Sequence, residues 1–182
     1  MVKQQAIEEI CQELEGLVTF VFCNYKKSCD NIDRKLQGRN LKSFALTGDL
    51  KPHERTHLFK EFSALRYRFC ISTNLGARGL DIPTCTTVIN YDLPVIYGDR
   101  NNLVPDPVTY VHRAGRTGRY GRPGVCISFV TSHEEYGLLE SIFKSCIQTD
   151  NKPIEFEVYT YKPGDIFNLI DPILNLYEKG KK

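Results

Sequence analysis

The chain has 182 residues, 41% of them apolar and 25% charged, which are the proportions of an ordinary globular domain with one substantial core. Its net charge is only +2, so a nucleic-acid site would have to come from local clustering of charge and not from a global excess. No apolar run approaches membrane-spanning length, and the opening Met1-Val2-Lys3-Gln4-Gln5 lacks the apolar stretch of a secretory signal.

Helix-period and strand-period segments alternate along the chain. Ala6, Ile7, Ile10, Cys11 and Leu14 keep helical spacing, with Gly16 as a stop. The continuous apolar run over residues 17–22 predicts a strand covered on both faces. Residues 26–36 predict a helix through Cys29, Ile32, Asp33 and Leu36, and residues 41–46 a second strand. After a Thr47-Gly48-Asp49 turn, Pro52 opens a helix bearing Leu58, Phe59 and Phe62. Residues 66–72 predict a third strand, followed by a glycine-rich loop over 73–81. Residues 87–91 predict a fourth strand, closed by Leu93-Pro94. Residues 96–107 are rich in Gly, Asp, Asn and Pro and predict a surface loop. A short helix follows over 108–114, then a fifth strand over 124–130. A helix over 134–146 presents Leu138, Leu139, Ile142 and Phe143. In the tail, Asp165 and Asp171-Pro172 read as helix starts. Ile166, Phe167, Leu169, Ile170, Ile173, Leu174 and Tyr177 are expected to dock on the core, and residues 180–182 to fray.

This alternation implies an α/β fold, a mostly parallel sheet with helices on both faces. Ligands of such sheets gather beyond the carboxyl ends of the strands. The loop over 73–81 starts directly after a strand and so stands where a ligand is expected. Seven cysteines, Cys11, Cys23, Cys29, Cys70, Cys85, Cys126 and Cys146, include no Cys-x-x-Cys pair. They read as small buried hydrophobes in a reducing compartment, cytosol or nucleus, in preference to disulfides or a zinc site.

One stretch stands apart: Val111-His112-Arg113-Ala114-Gly115-Arg116-Thr117-Gly118-Arg119-Tyr120-Gly121-Arg122. Arginine recurs every third residue and glycine recurs out of phase with it, at Gly115, Gly118, Gly121 and Gly124. No Asp or Glu lies between Asp106 and Glu134 to neutralise the charge. Guanidinium forks match phosphate oxygens in pairs, and glycines let backbone N–H groups approach an anion. The run is too short for a collagen repeat. A disordered RNA-binding tail is disfavoured because strand-like Val125-Cys126-Ile127-Ser128-Phe129-Val130 follows at once. An ordered phosphate site is the preferred reading, with a solvated basic loop as its alternative.

Four segments occur in one order: Val18-Thr19-Phe20-Val21-Phe22-Cys23, Ser72-Thr73-Asn74-Leu75-Gly76-Ala77-Arg78-Gly79-Leu80-Asp81-Ile82, Val88-Ile89-Asn90-Tyr91-Asp92-Leu93-Pro94, and residues 112–119. Together they resemble motifs IV, V, Va and VI of the C-terminal RecA-like domain of DEAD-box RNA helicases, over roughly residues 5–155. The insertion between Leu93-Pro94 and Tyr110-Val111-His112, and Leu46-Thr47-Gly48-Asp49-Leu50, resemble the mRNA-export branch.

The resemblance implies a RecA-like three-layer fold over 1–155, with 156–182 as an extension packed on it. It also implies a two-lobe mechanism. ATP and Mg²⁺ are held mainly by an N-terminal RecA-like lobe of the same polypeptide, through a P-loop and an Asp-Glu-Ala-Asp box. This sequence carries neither, so the domain alone is expected to be inactive as an ATPase. Arg116 and Arg119 correspond to arginines that reach the β- and γ-phosphates. His112 corresponds to a histidine coupling lobe closure to ATP, with a satisfied interface histidine as the alternative. Asp81 corresponds to the acceptor from the ribose hydroxyl, with a turn cap as the alternative; Gly79 accompanies it at the nucleotide. On the RNA side stand Arg55, Thr73, Gly79 and Asn24. Pro52 replaces the glutamine of the element that holds Arg55, and Asn74 stands where many members carry Asp. Arg78 and Arg113 are expected to brace the loops by ion pairs, with Asp49 and Asp92 as candidate partners.

The implied function is the C-terminal lobe of an ATP-dependent RNA helicase, closing on ATP and the RNA backbone for local unwinding or remodelling of RNA–protein complexes. The domain would be monomeric, partnered by RNA and a helicase activator, in cytoplasm or nucleus, at the nuclear pore for the mRNA-export branch. A non-catalytic RNA- or protein-binding module and a DNA helicase of the same superfamily are the rival readings.

Overall fold

In the computed structural model, residues 2–77, 82–99, 102–150, 162–166 and 168–172 are described. The apolar runs form a parallel five-stranded sheet from β1 (Thr19–Phe22), β2 (Ser43–Leu46), β3 (Phe69–Ser72), β4 (Thr87–Asn90) and, later in the chain, β7 (Val125–Ser128). The spatial order is β2-β3-β1-β4-β7. Alternate side chains leave each strand on opposite faces. Val21, Phe69, Ile71, Ile89 and Val125 join one apolar cluster, and Phe20, Phe22, Phe44, Leu46, Cys70 and Val88 another. Both faces are therefore buried, which is why β1 reads as an unbroken apolar run.

The first face is covered by α1 (Val2–Glu13), through Ile7, Ile10 and Cys11, and by α2 (Lys26–Gly38), through Cys29, Ile32 and Leu36. Ile166 and Ile170 of the tail join this cluster, and Glu13 accepts hydrogen bonds from the Gly164 and Ile166 N–H groups at 2.9 and 3.0 Å. The second face is covered by α3 (Pro52–Ser63), whose Phe62 meets Phe20 edge-on at 5.5 Å. A third cluster joins α4 (Pro107–Ala114) to α5 (His133–Asp150) through Tyr110, Leu139, Ile142 and Phe143. Each fully buried large side chain contributes about 1.5–3 kcal/mol. The edge strand β2 is covered too: the Asp33 carboxylate of α2 accepts from the Ala45 N–H at 3.1 Å and the Ser43 hydroxyl at 2.6 Å. Burial pushes the Asp33 carboxyl up from its ordinary value, against those hydrogen bonds.

Two expectations are corrected here. Residues 96–107 are not a plain loop. They contain β5 (Val95–Tyr97) and β6 (Leu103–Pro105), an antiparallel pair in which Tyr97 faces Leu103. The β-branched and aromatic residues at the ends of the segment pair across its turn, although neither strand is buried. The second correction concerns Arg113, which makes no ion pair with the Asp92 carboxylate. Its side chain, 2% exposed, donates from Nε to Asn74 Oδ1 at 2.7 Å, from Nη1 to Asn90 Oδ1 at 3.2 Å and the Asp92 carbonyl at 2.6 Å, and from Nη2 to Asn24 Oδ1 at 2.9 Å. Asp49 pairs instead with Lys26. Arg78 lies outside the described residues.

The Arg113 clamp makes a first prediction. Arg113→Met keeps apolar bulk but strips Asn90, itself fully buried, of its donor. Urea unfolding should show a loss of about 1–3 kcal/mol, and Arg113→Lys should recover little of it because one ammonium cannot span three amides. A second concerns Glu8, which joins α1 to α2 by accepting from Lys35 at 2.7 Å and Arg39 at 2.8 Å. The Lys35 ammonium, then the Arg39 guanidinium, hold its carboxyl below the usual range against the opposing effect of burial. A depressed carboxylate stabilises the fold at neutral pH and loses that contribution as pH falls through its folded value. Glu8→Gln should therefore cost up to about 1 kcal/mol at neutral pH. The gap between parent and variant melting curves should close in acid.

Candidate functional site

Strand register brings the carboxyl ends into one row, because Leu46 pairs with Ser72, Ser72 and Asn90 with Phe22, and Ser128 with Asn90. The chain segments that follow these residues share one edge of the sheet. After β3, the Thr73 carbonyl accepts from the Ala77 N–H at 3.1 Å and the Thr73 hydroxyl from the Gly76 N–H at 3.4 Å, winding 73–77 into a turn. A Cβ at Gly76 would run into the Leu46 carbonyl and the Ser72 hydroxyl, so this position takes no side chain. Gly79 and Asp81 lie outside the described residues. After β1, the Asn24 side chain is committed on both sides: its oxygen to Arg113, its nitrogen to the Leu93 carbonyl at 2.8 Å. The Asn24 N–H donates to the Asp92 carboxylate at 2.9 Å.

The arginine stretch leaves this edge through α4. Asp106 caps the helix by accepting from the Thr109 N–H at 2.9 Å, and Pro107 takes the first helical position. Tyr110 and Arg113 point inward, and His112 is exposed. Beyond Ala114 the chain turns. Arg116 Nε donates to the His112 carbonyl at 3.2 Å, and Arg119 Nε to the Gly115 carbonyl at 2.7 Å. Each half-buried guanidinium is thus oriented by the backbone four residues earlier. Thr117 points inward, its hydroxyl donating to the Cys85 carbonyl at 3.3 Å. Burial pushes the Cys85 thiol up to about 12, while the fields of Arg119 and Arg116 pull it back. The two arginines therefore stand near Cys85, just ahead of β4. A Cβ at Gly124 would collide with the Thr117 hydroxyl and the Gly118 N–H. At that position glycine serves packing inside the chain, not the approach of an anion.

Arg55 sits half-buried on α3, whose start is capped by Glu54 accepting from the Lys51 N–H at 2.8 Å. An open groove of about 420 Å³ runs along the same helix, lined by Pro52, His53, Thr56, His57 and Lys60. The Arg113 side chain thus ties Asn24 to Asn74, next to Thr73, while His112 is exposed on α4 and Arg116 and Arg119 follow on the turn beyond it. Sequence reasoning missed Asn90, a polar residue closing an apolar strand, where it takes an Arg113 hydrogen bond. Among the described residues no three His, Cys, Asp or Glu side chains gather to hold a metal ion, and no helix is long and apolar enough to cross a membrane. All seven cysteines are free thiols, six of them buried.

The model of the helicase conserved C-terminal domain matches residues 2–121. The ATP-dependent RNA helicase DBP5 of Saccharomyces cerevisiae is 41% identical over 140 residues, 75% of this chain and 28% of that protein. Its counterpart from Yarrowia lipolytica is 36% identical over 179 residues, 98% of this chain and 34% of that protein. The chain thus spans about a third of the length of these curated relatives. Among solved structures, the C-terminal domain of the DEAD-box protein Dbp5 superposes with a TM-score of 0.73 at 36% identity, covering 96% of this chain and 90% of that one. S. cerevisiae Dbp5 bound to RNA and ADP BeF3 gives 0.76 at 34% identity, covering 99% of this chain and 42% of that one. With the parallel five-stranded sheet and the arginine stretch in place, the chain belongs to the helicase conserved C-terminal domain family, in its DEAD-box group.

Proposed function

We propose that the chain is the C-terminal lobe of an ATP-dependent DEAD-box RNA helicase of the mRNA-export branch, which closes on ATP and the RNA backbone to separate short duplexes or remodel RNA–protein complexes. The observation that carries this reading is the pair of backbone-tethered guanidiniums, Arg116 and Arg119, on the turn leaving α4. Two oriented forks suit adjacent phosphates, and they need no reorganisation when charge develops there. Arg116 and Arg119 would hold the β- and γ-phosphates, with His112 beside them, and Asp81 and Gly79 at the ribose end. Mg²⁺, held mainly by the N-terminal lobe, supplies charge neutralisation when bound. Arg55, Thr73 and Gly79 meet RNA phosphate and sugar, which gives little base specificity. Asn24 serves the RNA side by fixing the edge on which they stand.

The relatives support this reading. One solved Dbp5 holds RNA and ADP BeF3, and a variant of its C-terminal domain is bound to a Gle1 variant and IP6. By analogy, the partners here are RNA, an N-terminal lobe of the same polypeptide and an activator protein, with the domain itself monomeric. Residues 1–155 form the domain and 156–182 its extension. The location is cytoplasm or nucleus, including the nuclear pore.

In the two-lobe protein, Arg119→Ala should cut ATP turnover toward the lower end of the roughly 10³–10⁵-fold seen when an arginine finger is lost. Nucleotide affinity should change far less, and Arg119→Lys should rescue poorly. Single-turnover hydrolysis beside a melting curve reads this out; a folded Arg119→Ala enzyme working at the parent rate makes the arginine structural. The chain alone should bind single-stranded RNA weakly, tolerantly of sequence and with affinity falling as salt rises. Arg55→Ala should lower the slope of log affinity on log salt by about one phosphate contact. Tight, salt-independent binding of one sequence would contradict the RNA assignment.

A further inference from the structure

The carboxyl edge carries an aromatic surface that the phosphate contacts leave unused. Tyr25 directly follows Asn24 at the boundary of α2 and is 58% exposed. Tyr97 ends β5 and is 65% exposed. The two belong to distant parts of the chain, yet their hydroxyls meet at 3.1 Å. The contact is between the hydroxyls; among the described residues neither ring pairs with another aromatic ring, and both residues are largely exposed. The hydroxyl contact thus marks two largely exposed rings that stand next to each other. Leu75, beside Asn74, is 75% exposed near the same edge, and Leu103 stands opposite Tyr97 on the hairpin.

The surroundings say what such faces suit. Lys26 and Lys27 follow Tyr25, with Lys26 paired to Asp49. Asn24, next to Tyr25, and Asn74, next to Thr73, share the Arg113 guanidinium, so the residue before Tyr25 and the residue after Thr73 are held by one group. Aromatic faces beside cations and a phosphate-facing turn complement a molecule with both π-faces and phosphates. Single-stranded nucleic acid has both, whereas an apolar protein surface has no use for the flanking charge.

We propose that Tyr25 and Tyr97 form a stacking platform for a base of single-stranded RNA whose phosphates run along the Thr73 turn. This rests on the RNA reading above. Stacking is tolerant of sequence because every base has a π-face, so the platform adds affinity and sets how far the strand extends without adding a code.

The test compares binding of the chain to oligouridylate and to the same ribose-phosphate strand made abasic, by fluorescence anisotropy at low salt. Tyr25→Ala and Tyr97→Ala should each weaken oligouridylate binding about five- to tenfold and leave the abasic strand unchanged. Tyr25→Phe and Tyr97→Phe keep the ring and should stay within about twofold of the parent. Melting curves confirm folding, which two exposed side chains should not disturb. A parent that binds both strands equally overturns the platform and leaves the phosphate assignment standing. Failure of the parent to bind either strand overturns both. Equal losses on the two strands, or unchanged RNA affinity in the alanine variants whether or not they lose a protein contact, also overturn the platform.

Discussion

Arg113 holds a positive charge where 2% of its surface meets water, and the oxygens it touches are all neutral: three asparagine amides and a main-chain carbonyl. Burial draws its pKa down to about 10, against the more distant pull of the Asp92 carboxylate, so the group stays protonated at neutral pH. The desolvation penalty is offset by those charge-assisted hydrogen bonds and by the Phe22 ring, 5.2 Å from the guanidinium carbon. Its four acceptors come from segments following β1 and β3 and from the end of β4 and the residues beyond. Register alone brings the strand ends level; this side chain fixes the loops that leave them. Asn74 offers this guanidinium an amide oxygen and no carboxylate, so little local charge compensates the cation.

The same stretch of chain divides its arginines between two tasks because the helix stops within it. Up to Ala114 helical geometry turns Arg113 inward with Tyr110. Beyond Gly115 the backbone bends, and Arg116 and Arg119 are held by carbonyls of the turn they have just left. A spacing of three that looks uniform in the sequence thus yields one internal brace and two oriented forks. Thr117, between them, anchors the turn to Cys85, just ahead of β4.

Much of this was legible in the residues. The core strands announced themselves as apolar runs because both faces of a parallel sheet are buried, and α2 and α5 by their apolar spacing. The arginine stretch was legible because charge and glycine recur without an acidic residue between them. The hairpin was not: its strands are short and exposed, so no buried period marks them, and the turn residues between them dominate the reading. Nor was the environment of Arg113, since a search for charge complementarity looks to carboxylates, while the groups that satisfy it are amides far apart in sequence. Asn24, expected at the RNA, proves to be one of these.

The buried thiols have a consequence of their own. Cys11 lies in α1, Cys70 in β3 and Cys146 in α5, while Cys23 follows β1, Cys85 precedes β4 and Cys126 lies within β7. Burial pushes the thiols of Cys11, Cys70, Cys85, Cys126 and Cys146 up, the Cys126 value to about 11, and the adjoining Cys29 thiol does most to raise Cys23. Since the thiolate is the reactive form, the buried ones react slowly with alkylating reagents while their layers stay closed. Because the thiols are spread through the layers, the order in which they become reactive would trace the order in which the domain comes apart. The native sequence thus carries its own set of chemical reporters for local opening, with no label added.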